Sequence, residues 1–236
     1  MFYHVVISHN QTEHIRKFPS GSVFVFDAPT PEDIRECELH RFPYVIVPMT
    51  GNRGANRNAG LSYVLNTYKP DLNDIVEFFD GDRFPIQYRP EKVQALMDSH
   101  GIQVMLYTCK TDHRLQKICV NSEGATITDT GTLCNPFYSC GFAIRVSAIH
   151  AVEAFNDGFL FEPRFTLWGC EDQFLGLVCD NLHLDAALTC ETQLNGSVGG
   201  DSDEHENYRE SLQQYINMIV SRRLPIRNEQ RPFKFV

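Results

Sequence analysis

A chain of 236 residues suits one domain of ordinary core size, and its 42% hydrophobic and 22% charged residues place it in the soluble globular class. The formal net charge of -9 argues against a nucleic-acid binder, which needs a basic face to displace counterions from phosphates. A nucleotide diphosphate remains an admissible ligand where a metal ion supplies positive charge. No apolar run reaches the length needed to cross a bilayer, and Met1–Ile7 lacks the charged and long apolar regions of a signal peptide. The eight cysteines, at 37, 109, 119, 134, 140, 170, 179 and 190, form no Cys-x-x-Cys pair. Their irregular spacing points to reduced, mostly buried thiols and a cytoplasmic protein.

Apolar runs predict strands at residues 2–7, 23–26 and 44–47, the second ending at Asp27. Residues 57–68 predict a helix with Leu61, Val64, Leu65 and Tyr68 on one face, and the strand 75–79 runs directly into Asp80. This alternation predicts an α/β fold with a mostly parallel, Rossmann-like sheet flanked by helices. Ligands of such sheets collect beyond the carboxyl ends of the strands, where Asp27 and Asp80 lie. A helix at 90–100 follows, bounded by Pro90 and Gly101, then strands at 102–109 and 115–120 and a polar loop at 121–136. Next come a helix at 147–155 capped by Ser147, a helix from the Trp168–Asp172 segment through Val178, and a strand at 183–190. Residues 195–206 read as a flexible acidic stretch that either closes over a ligand or is plain surface loop. Leu212, Tyr215, Ile216 and Ile219 mark a final amphipathic helix, and a basic tail carries Arg222, Arg223, Arg227, Arg231 and Lys234. No repeat or linker divides the chain.

Three segments carry chemistry. In Phe78-Phe79-Asp80-Gly81-Asp82 a buried strand delivers two carboxylates at the sheet edge, and the glycine lets the backbone turn tightly beside a ligand. Mg²⁺ and Mn²⁺ take oxygen ligands and share them between carboxylates and substrate phosphates. In Asn52-Arg53-Gly54-Ala55-Asn56-Arg57-Asn58-Ala59-Gly60 two arginines and helix-terminal amides suit diphosphate and ribose oxygens. In Trp168-Gly169-Cys170-Glu171-Asp172 adjacent carboxylates at a helix start would divide acceptor binding from proton removal. Each has a bland reading as well: a polar turn, a glycine-rich loop with solvated arginines, and acidic residues favoured at a helix N-terminus.

The order of the three resembles the GT-A glycosyltransferases, in particular the inverting β-1,4-galactosyltransferase-like and family 2 enzymes. The Asn-Arg-x-x-x-x-Asn-x-Gly run at 52–60, the Asp-x-Asp at 80–82 and the Trp-Gly-x-Glu-Asp at 168–172 carry the likeness. Ser139-Cys140-Gly141-Phe142-Ala143 is similar to the segment before the acceptor helix, and Val25-Phe26-Asp27 with Pro31-Glu32-Asp33 to the donor-base segment. The resemblance spans about residues 2–192 and implies one GT-A catalytic domain over 1–236. Residues 1–110 would form its nucleotide-sugar half, 111–207 its acceptor half and 208–236 a terminal helix and tail.

The resemblance implies a Mn²⁺- or Mg²⁺-dependent transferase moving a sugar from a nucleotide-sugar, expected to be a UDP-sugar, to a hydroxyl of a glycan or glycoconjugate. Asp27, Arg53, Arg57, Asn58, Asp80 and Gly81 would seat the donor. Asp82, with Asp80 as a further candidate, would ligate the metal. Trp168 and Glu171 would hold the acceptor, and Asp172 would be the general base of an inverting displacement. Two departures stand out: Cys140 replaces a family glycine, and the strand expected to supply a metal-binding histidine has none, leaving Cys190, Glu191 or His205. His4, His9 and His183 read as structural. The basic tail offers a peripheral contact with an anionic membrane. The alternatives are a nucleotidyltransferase, disfavoured because Ile7-Ser8-His9-Asn10 is no glycine-rich basic loop, a non-catalytic nucleotide-sugar or carbohydrate-binding module, and a retaining transferase on the same fold.

Overall fold

β-branched and aromatic residues dominate the first strands so completely that they can exist only inside a sheet covered on both faces. In the computed structural model, residues 1–48, 51–109, 118–121, 124–127, 141–165 and 171–195 are described, with positions 214, 217, 218, 221, 234 and 235. β1 (Phe2–Ser8), β2 (Val23–Phe26), β3 (Tyr44–Ile46) and β4 (Ile75–Asp80) run parallel, and Ile7 of β1 pairs with Asp80 of β4. Beyond β4 the direction changes once. β9 (Gly141–Arg145) lies antiparallel between β4 and β6 (Val104–Cys109), and β6, β10 (Ala186–Leu194) and β11 (Lys234–Phe235) run in the original direction. The order is β11-β10-β6-β9-β4-β1-β2-β3, with the short β5 (Pro85–Gln87) antiparallel on β10. β7 (Ile118–Asn121) and β8 (Gly124–Ile127) form a separate hairpin.

Helices cover both faces. α2 (Arg53–Tyr68), α4 (Val146–Phe155) and α5 (Glu171–Asn181) pack on one, closing a core of Val5, Val25, Leu61, Phe78, Phe142 and Phe174. α1 (Pro31–His40), α3 (Pro90–His100) and a 3-10 turn at Thr12–Lys17 pack on the other, over Phe24, Phe79, Met97 and Tyr107. Strand alternation sends Val76, Phe78 and Asp80 toward α2, and Ile75, Glu77 and Phe79 the other way. α2 lies very close to the sheet: a Cβ on Gly60 would come within 2.4 Å of Val5 and 2.7 Å of Val25.

The expected mostly parallel α/β sheet is present, and several boundaries move. α2 begins at Arg53, not 57, because the Asn52 side chain accepts from the Ala55 amide and caps it. α4 is preceded by Arg145 as N-cap with no side-chain bond, so Ser147 lies inside the helix. β10 begins at Ala186, and His183 sits instead in a left-handed turn after α5. α1 was not predicted. Pro31-Glu32-Asp33 opens it, and the Thr30 and Asp33 side chains each bind the other's backbone N–H as a capping box. β5, β9 and the 3-10 turn were not anticipated, and β8 falls within the predicted loop at 121–136. Ser139, Cys140, Trp168, residues 196–206 and Leu212, Tyr215, Ile216 and Ile219 lie outside the described residues, as do Arg222, Arg223, Arg227 and Arg231. Positions 214, 217, 218 and 221 are helical. Among the described residues no helix is long and apolar enough to cross a membrane. Cys37 and Cys179 are buried free thiols, each pushed up to about 12 by burial.

Candidate active site

The carboxyl end of β4 is where the three sequence segments meet. Asp80 is the last residue of the strand, and the chain then folds back so that the Gly81 N–H donates to the Ile7 carbonyl at 2.7 Å. A side chain at position 81 has no room: its Cβ would lie 2.3 Å from Gln11 Oε1 and 2.9 Å from Ser8 Oγ. The Arg83 N–H donates to the Asp80 carbonyl at 2.8 Å and Asn195 Nδ2 to the Asp82 carbonyl at 3.0 Å, fixing the turn from both sides. His14 Nδ1 lies 3.2 Å from the Gly81 carbonyl, a contact in which the nitrogen must donate.

Arg53 and Arg57 are one helical turn apart on α2 and therefore share a face. Arg57 is buried. Its Nη2 donates to Asp80 Oδ1 at 2.7 Å and its Nη1 to Glu171 Oε1 at 2.8 Å, while its guanidinium carbon lies 5.2 Å from the Phe161 ring centre. Burial works against the Arg57 charge, but the carboxylates of Asp80, Glu171 and Asp172 outweigh it and raise the guanidinium above its ordinary range. Arg53 is more open, with Nη1 3.9 Å from Asp80 Oδ2. Asn58, expected at the donor, has its amide on the backbone of Phe161: Nδ2 donates to the carbonyl at 2.6 Å and Oδ1 accepts from the N–H at 3.0 Å. Asn52 Nδ2 donates to the Pro163 carbonyl at 2.8 Å. The asparagines of the 52–60 motif thus clamp the segment that leads into α5.

Glu171 and Asp172 are the first residues of α5, where the helix dipole favours negative charge. Glu171 is buried against Arg57, and Asp172 is half-buried with Oδ1 accepting from the Gln173 N–H at 2.8 Å. Asp27 follows β2 on the same carboxyl edge and pairs with His9, whose Nδ1 lies 2.8 Å from Asp27 Oδ1. The half-exposed His9 therefore stands beside a candidate donor residue, whereas the buried His4 is structural as expected. Asp33 of the supposed donor-base segment is fully buried in the α1 cap and receives the Thr12 hydroxyl.

The metal candidates separate. Asp80 Oδ1 is taken by Arg57, while the Asp82 side chain is 38% exposed with Oδ2 3.8 Å from Arg83 Nε. Among the described residues no three His, Cys, Asp or Glu side chains gather as a ready-made cation site. The part-exposed Asp82 carboxylate has the oxygen-donor chemistry that Mg²⁺ or Mn²⁺ takes alongside substrate phosphates. Glu191 pairs instead with Arg89 at 3.2 Å and Lys92 at 3.7 Å beside α3, and His205 is outside the described residues. Sequence reasoning missed Arg83, His9, His14 and Asn195, which bear on the site through contacts that no short motif displays.

No protein-family profile matches the chain, and no curated protein matches it in sequence. Solved structures match it over nearly its whole length. S. aureus TarS 1–349 aligns with a TM-score of 0.63 at 16% identity over 98% of this chain and 66% of that one, and the same protein has been solved in complex with UDP and with UDP-GlcNAc. Glucosyl-3-phosphoglycerate synthase from Mycobacterium tuberculosis, solved with Mn²⁺, UDP and phosphoglyceric acid, aligns with a TM-score of 0.59 at 15% identity over 95% of this chain and 79% of that one. The chain thus spans about two thirds of the TarS fragment, and it has the GT-A fold of the glycosyltransferases.

Proposed function

We propose that this chain is a glycosyltransferase that uses a nucleotide-sugar, a UDP-sugar in the first instance, and transfers its sugar with inversion to a hydroxyl of a glycan or glycoconjugate. One observation carries the reading: Arg57 joins Asp80, from the donor-side motif, to Glu171, from the acceptor-side motif, at a single centre. A polar turn and a charged helix start with no shared function have no reason to converge on one buried guanidinium. The fold's solved neighbours that bind UDP, and in one case Mn²⁺ with it, support the donor class.

In this reading Asp27 meets the base or ribose, Arg53 the diphosphate, and Asp80 the ribose or donor sugar. Asp82 would hold a divalent cation shared with the diphosphate, and such a cation would neutralise charge on the leaving group. Glu171 orients the acceptor. Asp172 takes the acceptor hydroxyl proton as that oxygen bonds to the anomeric carbon. The carbon–oxygen bond to the diphosphate breaks in the same step, and the nucleotide departs with the electron pair. A carboxylate is a weak base toward an alcohol, so proton transfer runs late, as the acceptor oxygen bonds to the anomeric carbon and its proton becomes acidic.

The test is a donor panel. The protein is incubated with Mn²⁺ and UDP-, GDP-, dTDP- or CMP-sugars, and binding and nucleotide release are measured. Release from at least one UDP-sugar is expected. Absence of both binding and slow hydrolysis across the panel would overturn the assignment.

A further inference from the structure

Arg57 has the residue type of a phosphate ligand but not the situation of one. A donor-binding arginine must reach the ligand with at least one edge of its guanidinium. Arg57 is only 3% exposed, and its two terminal nitrogens already hold carboxylates on opposite sides, Asp80 at 2.7 Å and Glu171 at 2.8 Å. The N–H groups left over on the guanidinium are enclosed with it, so a phosphate could reach them only by opening the site around the two carboxylates. Arg53, one turn earlier and 41% exposed, is the group placed to meet phosphate.

We propose that Arg57 is a positioning residue: it fixes the donor-side Asp80 and the acceptor-side Glu171 in one geometry. The proposal deepens the transferase reading and rests on it. The two carboxylates lie on elements with no covalent neighbourhood, 23 and 114 residues from Arg57 in the chain. A planar, rigid guanidinium spans such a gap with two fixed bonds, whereas an ammonium is a point charge on a flexible stem. The surroundings reinforce the brace. Asn58 and Asn52 of the same helix pin Phe161 and Pro163, and the Phe161 ring lies over the guanidinium. The carboxylates that Arg57 holds are Asp80 from β4 and Glu171 from α5, with Arg53 beside Asp80. Removing Arg57 leaves both without the cation that joins them, and the two elements lose their shared anchor.

Arg57→Lys and Arg57→Gln are compared with wild type in two measurements: UDP affinity in the presence of Mn²⁺, and the steady-state kinetics of UDP release from UDP-glucose or UDP-GlcNAc. For Arg57→Lys, UDP affinity stays within about threefold of wild type while kcat falls about tenfold or more. For Arg57→Gln, which removes the charge as well as the fork, kcat falls further while UDP affinity again stays near wild type. Should the glutamine variant not fold, the lysine variant alone decides between the roles, by KM against kcat. A tenfold weaker UDP affinity in Arg57→Lys with kcat preserved would make Arg57 a donor ligand and overturn the proposal, as would an unchanged kcat in both variants. If wild type neither binds UDP nor releases it from any donor, the transferase reading itself has failed and the proposal with it. An active wild type with unaffected variants fails the proposal alone.

Discussion

β4 carries two acidic residues that face opposite sides of the same sheet, and their surroundings differ in kind. Glu77 is fully buried among hydroxyls and an imidazole: it accepts from Tyr107 and, at 2.6 Å, from Tyr88, with His4 Nε2 at 3.1 Å. Asp80 emerges at the strand end, where its partner is a guanidinium shared with a second carboxylate. The first arrangement closes on itself. Burial, and then the Glu77 charge, push both tyrosines well above their usual range, so each hydroxyl keeps its proton and donates. The second arrangement stays open, because Asp82, Asp172 and Arg53 are part-exposed around it. A closed polar cluster serves stability, and the proposed function places the chemistry at the open edge of like charges held by one cation. Mutations on the two faces should therefore separate activity from stability.

The largest effect is expected at Asp172. Asp172→Asn should lower UDP release by about 10³-fold, the scale of a positioned general base, while UDP binding and thermal stability stay near wild type. Retained turnover would remove Asp172 from that role. On the other face, Glu77→Ala should leave UDP affinity intact but cost about 3 kcal/mol of stability, since the buried Tyr107 and part-buried Tyr88 hydroxyls lose their acceptor. Denaturant titration against activity in the surviving folded fraction reads both sides.

The same cluster has a pH signature. Tyr88 and Tyr107 are raised in the folded chain and ionise near 10 when unfolded, so above that pH the unfolded state binds fewer protons and stability falls as pH rises. Cys37 and Cys179, held near 12, extend the loss down to about pH 9, where an unfolded thiol begins to ionise. The stabilisation is complete below that window and disappears through it. Tyr107→Phe should lower stability at neutral pH yet flatten its alkaline decline, which urea midpoints at about pH 8 and about pH 10.5 would show.

The contrast between the two faces was only partly legible in the sequence. The buried runs of β1, β2 and β4 and the Pro90-to-Gly101 helix were readable because apolar continuity and terminal signals are local. α1 was missed because its exposed surface leaves little apolar stripe, with Leu39 68% exposed and Cys37 the buried thiol. Pro31-Glu32-Asp33, similar in sequence to a donor-base segment, is the first turn of this helix, with Thr30 as its cap. β9 is short and antiparallel, and only its two neighbours, β4 and β6, make it a strand. At the site, the motifs named residues that the fold brings to one strand end, but local sequence does not show which nitrogen meets which carboxylate. The Arg57–Glu171 pair spans 114 residues, and the asparagine clamp on Phe161 spans 103.

A substitution that disturbs the helix carrying Arg57 should blur the separation between faces. Gly60→Ala places a methyl against Val5 and Val25, and overpacking of this kind costs about 2 kcal/mol. Because α2 must lift or slide to relieve it, UDP release should fall along with stability. A stability loss with full activity would show that the Asp80–Arg57–Glu171 geometry tolerates movement of its helix.

The smallest expected effect falls on the residue that crosses between the faces. His14 belongs to the 3-10 turn on the Glu77 side, packs on Phe84 with ring centres 4.9 Å apart, and meets the Gly81 carbonyl within the Asp80–Asp82 turn. Its contribution is one hydrogen bond to a backbone already fixed by the Gly81–Ile7 bond, so His14→Ala should weaken UDP binding in Mn²⁺ by only about fivefold, the scale of one neutral hydrogen bond. His14→Asn can place an N–H near the Nδ1 position and should recover most of that loss. If alanine and asparagine behave alike, the bond does not shape the turn, and Asp82 is held by the Gly81–Ile7 bond and by Asn195.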